Sequence, residues 1–396
     1  MIHKKIFLYI SHINRYISSS TNYIYDPVTK KYYIDYEHKN NKKLEEKSEF
    51  NEAYKGKNYS LGSDITGIKN VGNNCYLNSG LQILARCEKF VEKIQKFYDT
   101  KFPFIVSLYN AFQQLLSGNV YDPTNFIKYF CSINPEFKEG EQSCSQNFIR
   151  TVLNSVNNEI KSTSTKSGCI YSYNSYKPVS NEKMAYDLYI KANNIFPESE
   201  AISLFSGILK SHSVGECKYC KTTFDNYTFC YFIDQNMYLD SISEDQCKFS
   251  KVIRENLASN NAKMDCEKCK GKYNLRNTYQ IKEENKLVKL PEILIFTIER
   301  YLNGTNNIQI KPDEKIDLKD YIDPQLKGEK TEYELFAINI RFGGSKNFGH
   351  EICQVKIKGY WYEFDDRNAS PKKNTHHGSS YGLFYKRIWN LVYLIK

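Results

Sequence analysis

The most informative stretch of the sequence is residues 67–79, which read GIKNVGNNCYLNS. A loop rich in Gly and Asn runs directly into a helical pattern, because apolar residues follow at steps of three and four. Cys75 lies at the junction, where free backbone N–H groups and the helix dipole favour a thiolate, the nucleophilic form of cysteine. The loop's Asn side chains are candidate donors to a developing oxyanion. The alternative is that Cys75 is a small buried residue at a helix start capped by Asn74.

The pattern of apolar residues changes along the chain. Between about residues 65 and 195 it is mostly helical, for example over 104–116 and 148–160. After residue 204 it favours strands, which we predict over 222–238, 286–300, 335–342 and 350–364. Helices followed by strands, without strict alternation, predict an α+β fold.

A second informative stretch is residues 343–366, where His350 follows a Gly-rich loop and two apolar runs meet at Lys358-Gly359. This pattern predicts a β-hairpin, and two registers remain open. A turn centred between residues 357 and 358 puts His350 directly opposite Asp365. A two-residue Lys358-Gly359 loop makes Asp365 its diagonal neighbour. Both registers place the two side chains on one face, where a carboxylate fixes the imidazole tautomer.

Cys, His and Asp in this chain order are typical of a cysteine protease. The 275 residues that separate Cys75 from His350 exceed the spacing of small papain-like enzymes, so we predict an insertion. The insertion contains two C-x-x-C pairs, whose four thiolates match one tetrahedral structural zinc ion. A redox role is the alternative, but two matched pairs favour a metal. The ligands are Cys217, Cys220, Cys266 and Cys269.

Composition excludes several classes of protein. The chain has 396 residues, 41% of them hydrophobic, with a formal net charge of +10. Its densest apolar stretch, residues 290–298, is far shorter than the ~20 residues of a membrane span. Five apolar residues at 6–10 are too few for a signal-peptide core, so we expect an intracellular protein with reduced cysteines. Basic and acidic residues are mixed rather than arranged in a stripe, which argues against nucleic-acid binding.

Several motifs together resemble the ubiquitin-specific protease family. Residues 67–84 resemble its Cys box and residues 349–366 its His box. Further similarity lies at 204–220, 290–301 and 381–387, in the family's order, so that the resemblance covers about residues 65–390.

The resemblance implies a papain-like α+β fold shaped as a hand. The catalytic domain would span 61–396, after a polar N-terminal extension at 1–60. A helical thumb would take about 65–200, zinc-bearing β fingers about 201–288, and an antiparallel β palm about 289–396.

The resemblance also assigns roles to the residues already singled out. Cys75 matches the nucleophile, His350 the general base and Asp365 the third member of the triad. Asp366 matches an adjacent helper, and Asn70, five residues before the nucleophile, matches the oxyanion-hole Asn. The implied activity is hydrolysis of the isopeptide bond after the C-terminal glycine of ubiquitin, through a thioester. The implied partners are ubiquitin and ubiquitinated proteins, and we expect a monomer with one structural zinc ion and no catalytic cofactor.

Three positions depart from the family pattern. The two acidic positions of its thumb motif, which help to receive ubiquitin's basic tail, are Cys144 and Asn147 here. Losing two charge-assisted contacts would cost roughly 1.5–3 kcal/mol each, although Glu139 and Glu141 are near in sequence. The Tyr that usually follows the catalytic His is Glu351.

The Thr that usually precedes the nucleophile is Asn74, which we expect to be a mild change. Three alternatives to an active deubiquitinase remain, and the departures support the first two. The first is a non-catalytic ubiquitin-binding scaffold, and the second is a protease for a ubiquitin-like modifier with a less basic tail. The third, nucleic-acid binding, rests on the positive charge and the paired cysteines, and it predicts a steep salt dependence.

Overall fold

The structure is a computed structural model that describes residues 23–26, 31–34, 65–161, 179–193, 198–258, 260–273, 279–301, 306–343, 348–373, 375 and 378–389. Of the predicted N-terminal extension, only a short antiparallel pair falls within these ranges: β1 (Tyr23–Asp26) and β2 (Lys31–Ile34). The chain forms two compact units. One contains Val214–Phe224 and the described residues of 261–282 together with β1 and β2, and the other contains the remaining described residues.

The described residues of the predicted helical region form six helices, which confirms the prediction: α1 (Cys75–Ala85), α2 (Glu88–Gln95), α3 (Pro103–Leu115), α4 (Thr124–Ile133), α5 (Ser145–Lys161) and α6 (Glu182–Asn193). Helix α3 starts with Pro103, whose missing N–H costs nothing at a first helical position. All residues of α1 are buried, which identifies it as a central helix. In the described part of the chain, no helix is both long enough and apolar enough to cross a membrane.

Aromatic side chains fill the core around α1. Phe130 packs edge-on against Phe148, with ring centroids 5.0 Å apart, and it also contacts Phe126 and Phe137. Tyr76, the second residue of α1, packs against both Phe137 and Phe148. Burying rings of this size holds α1 in place.

The largest sheet in the described part of the chain has eight strands: β5 (Asp234–Tyr238), β9 (Ile293–Glu299), β11 (Lys315–Asp317), β12 (Glu332–Phe342), β13 (His350–Ile357), β14 (Tyr360–Asp365), β15 (Asn368–Lys372) and β16 (Ser380–Arg387). Their order is β15-β14-β13-β12-β16-β9-β5, with β11 paired to β12. The pairs are antiparallel, as predicted, except that β5 runs parallel to β9. The predicted strand over 222–238 is divided into β4 (Thr223–Phe232) and β5.

The insertion contains both strands and helices. A four-stranded sheet has the order β4-β3-β8-β7, with β3 (Gly207–Cys217), β7 (Asn260–Met264) and β8 (Tyr279–Lys289). A separate parallel pair joins β6 (Gln246–Lys248) to β10 (Gln309–Lys311).

Two helices in the insertion were not predicted, α7 (Phe249–Leu257) and α8 (Glu267–Tyr273). Helix α7 buries Phe249, Val252, Ile253 and Leu257. These residues are spaced by three and four, so the sequence did contain a helical signal there.

Candidate active site

Cys75 is the first residue of α1 and is 3% exposed. The loop before it folds back through Asn74, whose Oδ1 accepts hydrogen bonds from the backbone N–H groups of Val71 at 2.7 Å and Gly72 at 3.1 Å. The Nδ2 of Asn74 donates to Oδ1 of Asn78 at 2.8 Å. Asn74 therefore holds the loop in shape, whereas the alternative interpretation of the sequence expected it to cap the helix.

The loop lies against a tight turn that follows β14. Ile68 N donates to the carbonyl of Asp366 at 2.8 Å. A Cβ atom at position 67 would lie 2.3 Å from the same carbonyl oxygen, so Gly67 permits the close approach. Asp366 itself has a φ of 49°, a left-handed conformation that Asp tolerates better than most residues.

Asp366 accepts hydrogen bonds from two side chains of the Cys75 segment. Asn78 Nδ2 donates to its Oδ1 at 2.7 Å, and Asn70 Nδ2 donates to its Oδ2 at 2.8 Å. The predicted oxyanion donor, Asn70, is thus in the site, with its amide nitrogen directed at Asp366. Sequence reasoning missed Asn78, although it is four residues after Asn74 and so lies on the same helix face.

His350 and Asp365 lie on the β13–β14 hairpin. The register pairs Ile357 with Tyr360, so Lys358 and Gly359 form a two-residue turn, and both have positive φ, as a type I′ turn requires. The second of the two predicted registers is therefore correct, and Asp365 is a diagonal neighbour of His350.

The side chains of this diagonal pair meet on one face of the hairpin. His350 Nε2 lies 2.7 Å from Asp365 Oδ1, and the side chains are 43% and 50% exposed. One carboxylate oxygen from each of Asp365 and Asp366 and one ring nitrogen of His350 all lie within 4.8 Å of one another. A carboxylate at this distance orients the imidazole.

The pKa of the Cys75 thiol is raised, chiefly by burial and also by the negative charges of Glu351 and Asp366. A backbone hydrogen bond from Glu351 and a side-chain hydrogen bond from Gln142 lower it in part. Burial thus opposes the effect of the helix N-terminus, which by itself favours the thiolate.

Gln142 is a site residue that sequence reasoning did not single out. Its Nε2 lies 3.7 Å from Cys75 Sγ and donates to the carbonyl of Gly349 at 2.5 Å. The amide therefore connects the nucleophile to the residue before His350. It lies two residues before Cys144, an altered position of the thumb motif, and this proximity was the available signal.

The altered thumb positions are partly enclosed. Cys144 is 7% exposed, and Asn147 Oδ1 accepts from Arg150 Nη1 at 3.3 Å. Glu139 and Glu141 are both exposed, and Glu141 pairs with Lys138 at 3.1 Å.

The four paired cysteines form a compact cluster. Their sulfur atoms all lie within 4.8 Å of one another, with Cys217 and Cys269 at 3.7 Å and Cys220 and Cys266 at 3.5 Å. Tetrahedral zinc with Zn–S bonds of about 2.3 Å requires S···S separations of about 3.8 Å. The cluster can therefore bind one zinc ion.

The residues around the cluster also suit a metal site. Tyr279, Ile281 and Phe224 pack against the cysteines. Lys221, in a left-handed conformation with a φ of 59°, donates its backbone N–H to the carbonyl of Cys217 and closes the first turn.

Comparisons with known proteins match the same part of the chain. The family model for ubiquitin carboxyl-terminal hydrolase covers residues 66–385. Ubiquitin carboxyl-terminal hydrolase 4 of Arabidopsis thaliana is 27% identical over 338 residues, which are 79% of this chain and 87% of the relative. Ubiquitin carboxyl-terminal hydrolase 23 of the same plant is 23% identical over 337 residues, which are 81% of this chain and 35% of the relative. This chain therefore spans only about a third of that second relative's length.

Solved structures show a shared fold. A yeast SAGA DUBm with a variant Sgf73 has a TM-score of 0.58 at 18% identity, over 82% of this chain and 69% of that chain. The SAGA Ubp8/Sgf11/Sus1/Sgf73 DUB module bound to ubiquitin aldehyde has a TM-score of 0.56 at 20% identity, over 82% and 70%. The papain-like α+β fold and the family model lead to the same assignment: the chain belongs to the ubiquitin carboxyl-terminal hydrolase family.

Proposed function

We propose that this chain is a cysteine deubiquitinase, which hydrolyses the isopeptide bond after the C-terminal glycine of ubiquitin. The observation that carries the proposal is the contact between His350 Nε2 and Asp365 Oδ1, because it leaves Nδ1 of the ring for the thiol proton. Cys75, at the start of the buried helix α1, is the nucleophile. Membership of the family supports ubiquitin as the modifier.

The proposed reaction has two steps. His350 takes the thiol proton, the Cys75 thiolate attacks the glycine carbonyl, and His350 then protonates the leaving lysine amine. Water, activated by the same imidazole, hydrolyses the thioester. Asp365 orients the ring and stabilises its positive charge.

The oxyanion of each step needs hydrogen-bond donors near Cys75. We assign this role to Asn70 and to backbone N–H groups at the start of α1. Since the amide of Asn70 donates to Asp366, we propose Asp366 as the helper that holds Asn70 in place.

We further propose that Cys217, Cys220, Cys266 and Cys269 hold one structural zinc ion, which would fix the two turns that carry them. The catalytic domain would then span residues 61–396, with the thumb, fingers and palm divided as the family resemblance implies. The protein would work as a monomer in the cytoplasm, the nucleus or both, where thiols remain reduced.

A second candidate function has its own observation. Cys144 and Asn147 leave the usual acidic positions without charge, and Cys144 is buried. This favours a ubiquitin-like modifier whose tail is less basic than that of ubiquitin.

One experiment tests both functions. Purified protein is treated with ubiquitin carrying a C-terminal thiol-trapping electrophile, and the adduct is measured by mass spectrometry with Cys75→Ala as the control. An adduct that disappears in the variant supports the deubiquitinase. An adduct formed only with other modifiers supports the second function, and bound ubiquitin without any adduct would indicate a scaffold.

A further inference from the structure

A fully buried ion pair lies next to the candidate nucleophile. Glu351 and Arg341 are directly opposite each other on β13 and β12, and their side chains are 0% and 1% exposed. Arg341 Nη1 donates to Glu351 Oε1, and also to the carbonyl of Ser143 at 3.3 Å. Burying a carboxylate costs free energy unless the group is paired and hydrogen-bonded. Glu351 therefore needs further hydrogen bonds from neighbouring residues.

The second oxygen of Glu351 reaches the helical side of the site. Its Oε2 accepts from the backbone N–H of Ser145 at 3.0 Å and from the Ser145 hydroxyl. The same hydroxyl oxygen contacts the carbonyl of Tyr76 at 2.9 Å and accepts from Asn339 Nδ2 at 3.1 Å. Glu351 thus joins strand β13 to the residue that follows Cys75 in α1.

The main chain of Glu351 also contacts the nucleophile. Its backbone N–H is a hydrogen-bond donor to the Cys75 thiol, and its carboxylate charge acts on the same sulfur. Asp366, in the turn after β14, is the other carboxylate that acts on Cys75, and Tyr76 is the titratable neighbour on α1. Glu351 directly follows His350 on β13. The residue that hydrogen-bonds to the Cys75 thiol is therefore next in the chain to the proposed general base.

We propose that Glu351 and Arg341 are positioning residues, which hold Cys75 at a fixed distance from His350 and set the charge next to the sulfur. The proposal rests on the proposed function, in which Cys75 and His350 perform the chemistry. Glu351 is fully buried and does not touch the substrate. It acts through its hydrogen bonds to Cys75 and Ser145, and Arg341 compensates its charge.

The test measures Cys75 itself as well as turnover. Alkylation of Cys75 by iodoacetamide is followed across pH by peptide mass spectrometry, which needs no ubiquitin. In parallel, kcat and KM are measured with a fluorogenic ubiquitin substrate. If ubiquitin is not a substrate at all, the proposed function fails, but the alkylation profile still decides on the positioning pair.

Two variants have opposite expected effects on the alkylation profile. Glu351→Gln removes a negative charge near the sulfur, so the midpoint shifts to lower pH. Arg341→Met leaves the Glu351 charge uncompensated, so the midpoint shifts to higher pH. For Glu351→Gln we also expect kcat to fall about tenfold while KM stays within about twofold, because only the alignment of the reacting groups is disturbed.

The matched control is Asp323→Asn, which removes a buried carboxylate from an ion pair with Lys210 outside the site. This variant should leave the alkylation midpoint and kcat unchanged. Shifts in opposite directions for the two site variants support the proposal. A midpoint that does not move in Glu351→Gln, or that moves in the same direction in both variants, overturns it.

Each of the two variants leaves one buried charge of the pair without its partner. Arg341→Met also removes a hydrogen-bond donor to Glu351, so it is the variant at greater risk of not folding. Glu351→Gln keeps the size of the side chain and an acceptor for Ser145. If Arg341→Met does not fold, Glu351→Gln alone therefore tests the proposal. An unshifted midpoint in Glu351→Gln would then overturn the proposal, whatever the kcat of that variant.

Discussion

His350 Nε2 lies 2.7 Å from Asp365 Oδ1, although the two residues are not directly opposite each other in the hairpin. The two-residue turn at Lys358-Gly359 sets a register in which Asp365 is the diagonal neighbour. Cβ atoms of diagonal pairs are farther apart than those of direct pairs, which leaves room for an imidazole ring between the backbone and the carboxylate. The turn therefore determines the geometry of the proposed dyad.

The first prediction concerns this carboxylate. Asp365→Ala should lower kcat by about 10²-fold with little change in KM, because the imidazole loses its orientation and the support of its positive charge. Asp365→Asn should retain part of the activity, since an amide can still hydrogen-bond to the ring. Hydrolysis of a fluorogenic ubiquitin substrate measures both. The control is Asp320→Asn, an exposed acid outside the site, and equal rates for Asp365→Ala and this control would contradict the assignment.

A second prediction uses the conformation of Asp366. Its φ of 49° disfavours Ala but suits Asn, and its two oxygens accept from Asn70 and Asn78. Asp366→Ala should therefore lower kcat about tenfold and lower the melting temperature, because a left-handed Ala costs roughly 1–2 kcal/mol. Asp366→Asn should lower kcat by less than about threefold.

Arg367→Ala, one residue later in the same turn, is the control for Asp366. Its side chain is exposed, so both kcat and the melting temperature should stay at wild-type values. If Asp366→Ala also behaved like wild type, the helper role of Asp366 would have to be abandoned.

The Cys75 motif, the hairpin and the paired cysteines could be read from the sequence because each depends on local patterns. The contacts of Gln142 could not, because the amide meets Cys75 and Gly349 only after α5 and β13 have packed. The raised pKa of the Cys75 thiol could not be predicted from the sequence pattern either. It depends on burial and on Glu351, which is 276 residues away in the chain. Local chemistry was thus predictable, whereas long-range packing was not.

The third prediction is the pH dependence of the free enzyme. Because burial raises the pKa of the Cys75 thiol, the thiol form predominates at neutral pH and the thiolate fraction grows as the pH rises. Alkylation of Cys75 by iodoacetamide should therefore be slower than that of a small thiol at pH 7 and should accelerate into the alkaline range. A rate already at its plateau below pH 7 would show that the thiolate is stable in the free enzyme.

The fourth prediction concerns the cysteine cluster. The purified protein should contain about one zinc ion per chain, and Cys217→Ser should reduce this content to near zero. Since metal binding is linked to folding, the variant should also have a lower melting temperature, as should the wild type after treatment with a chelator. Cys131→Ser is the control, because Cys131 lies on α4 outside the cluster. Unchanged zinc content in Cys217→Ser would exclude the proposed site.

The last prediction separates the two candidate functions through Asn147. The family resemblance places an acid here that receives the basic tail of ubiquitin, and one charge-assisted contact is worth roughly 1.5–3 kcal/mol. If ubiquitin is the substrate, Asn147→Glu should lower KM about tenfold without changing kcat, because the contact lies in the bound tail. Asn158→Glu, placed three turns later on α5, tests whether added charge alone improves binding. An unchanged KM in Asn147→Glu, or an equal gain in Asn158→Glu, would favour a modifier with a less basic tail.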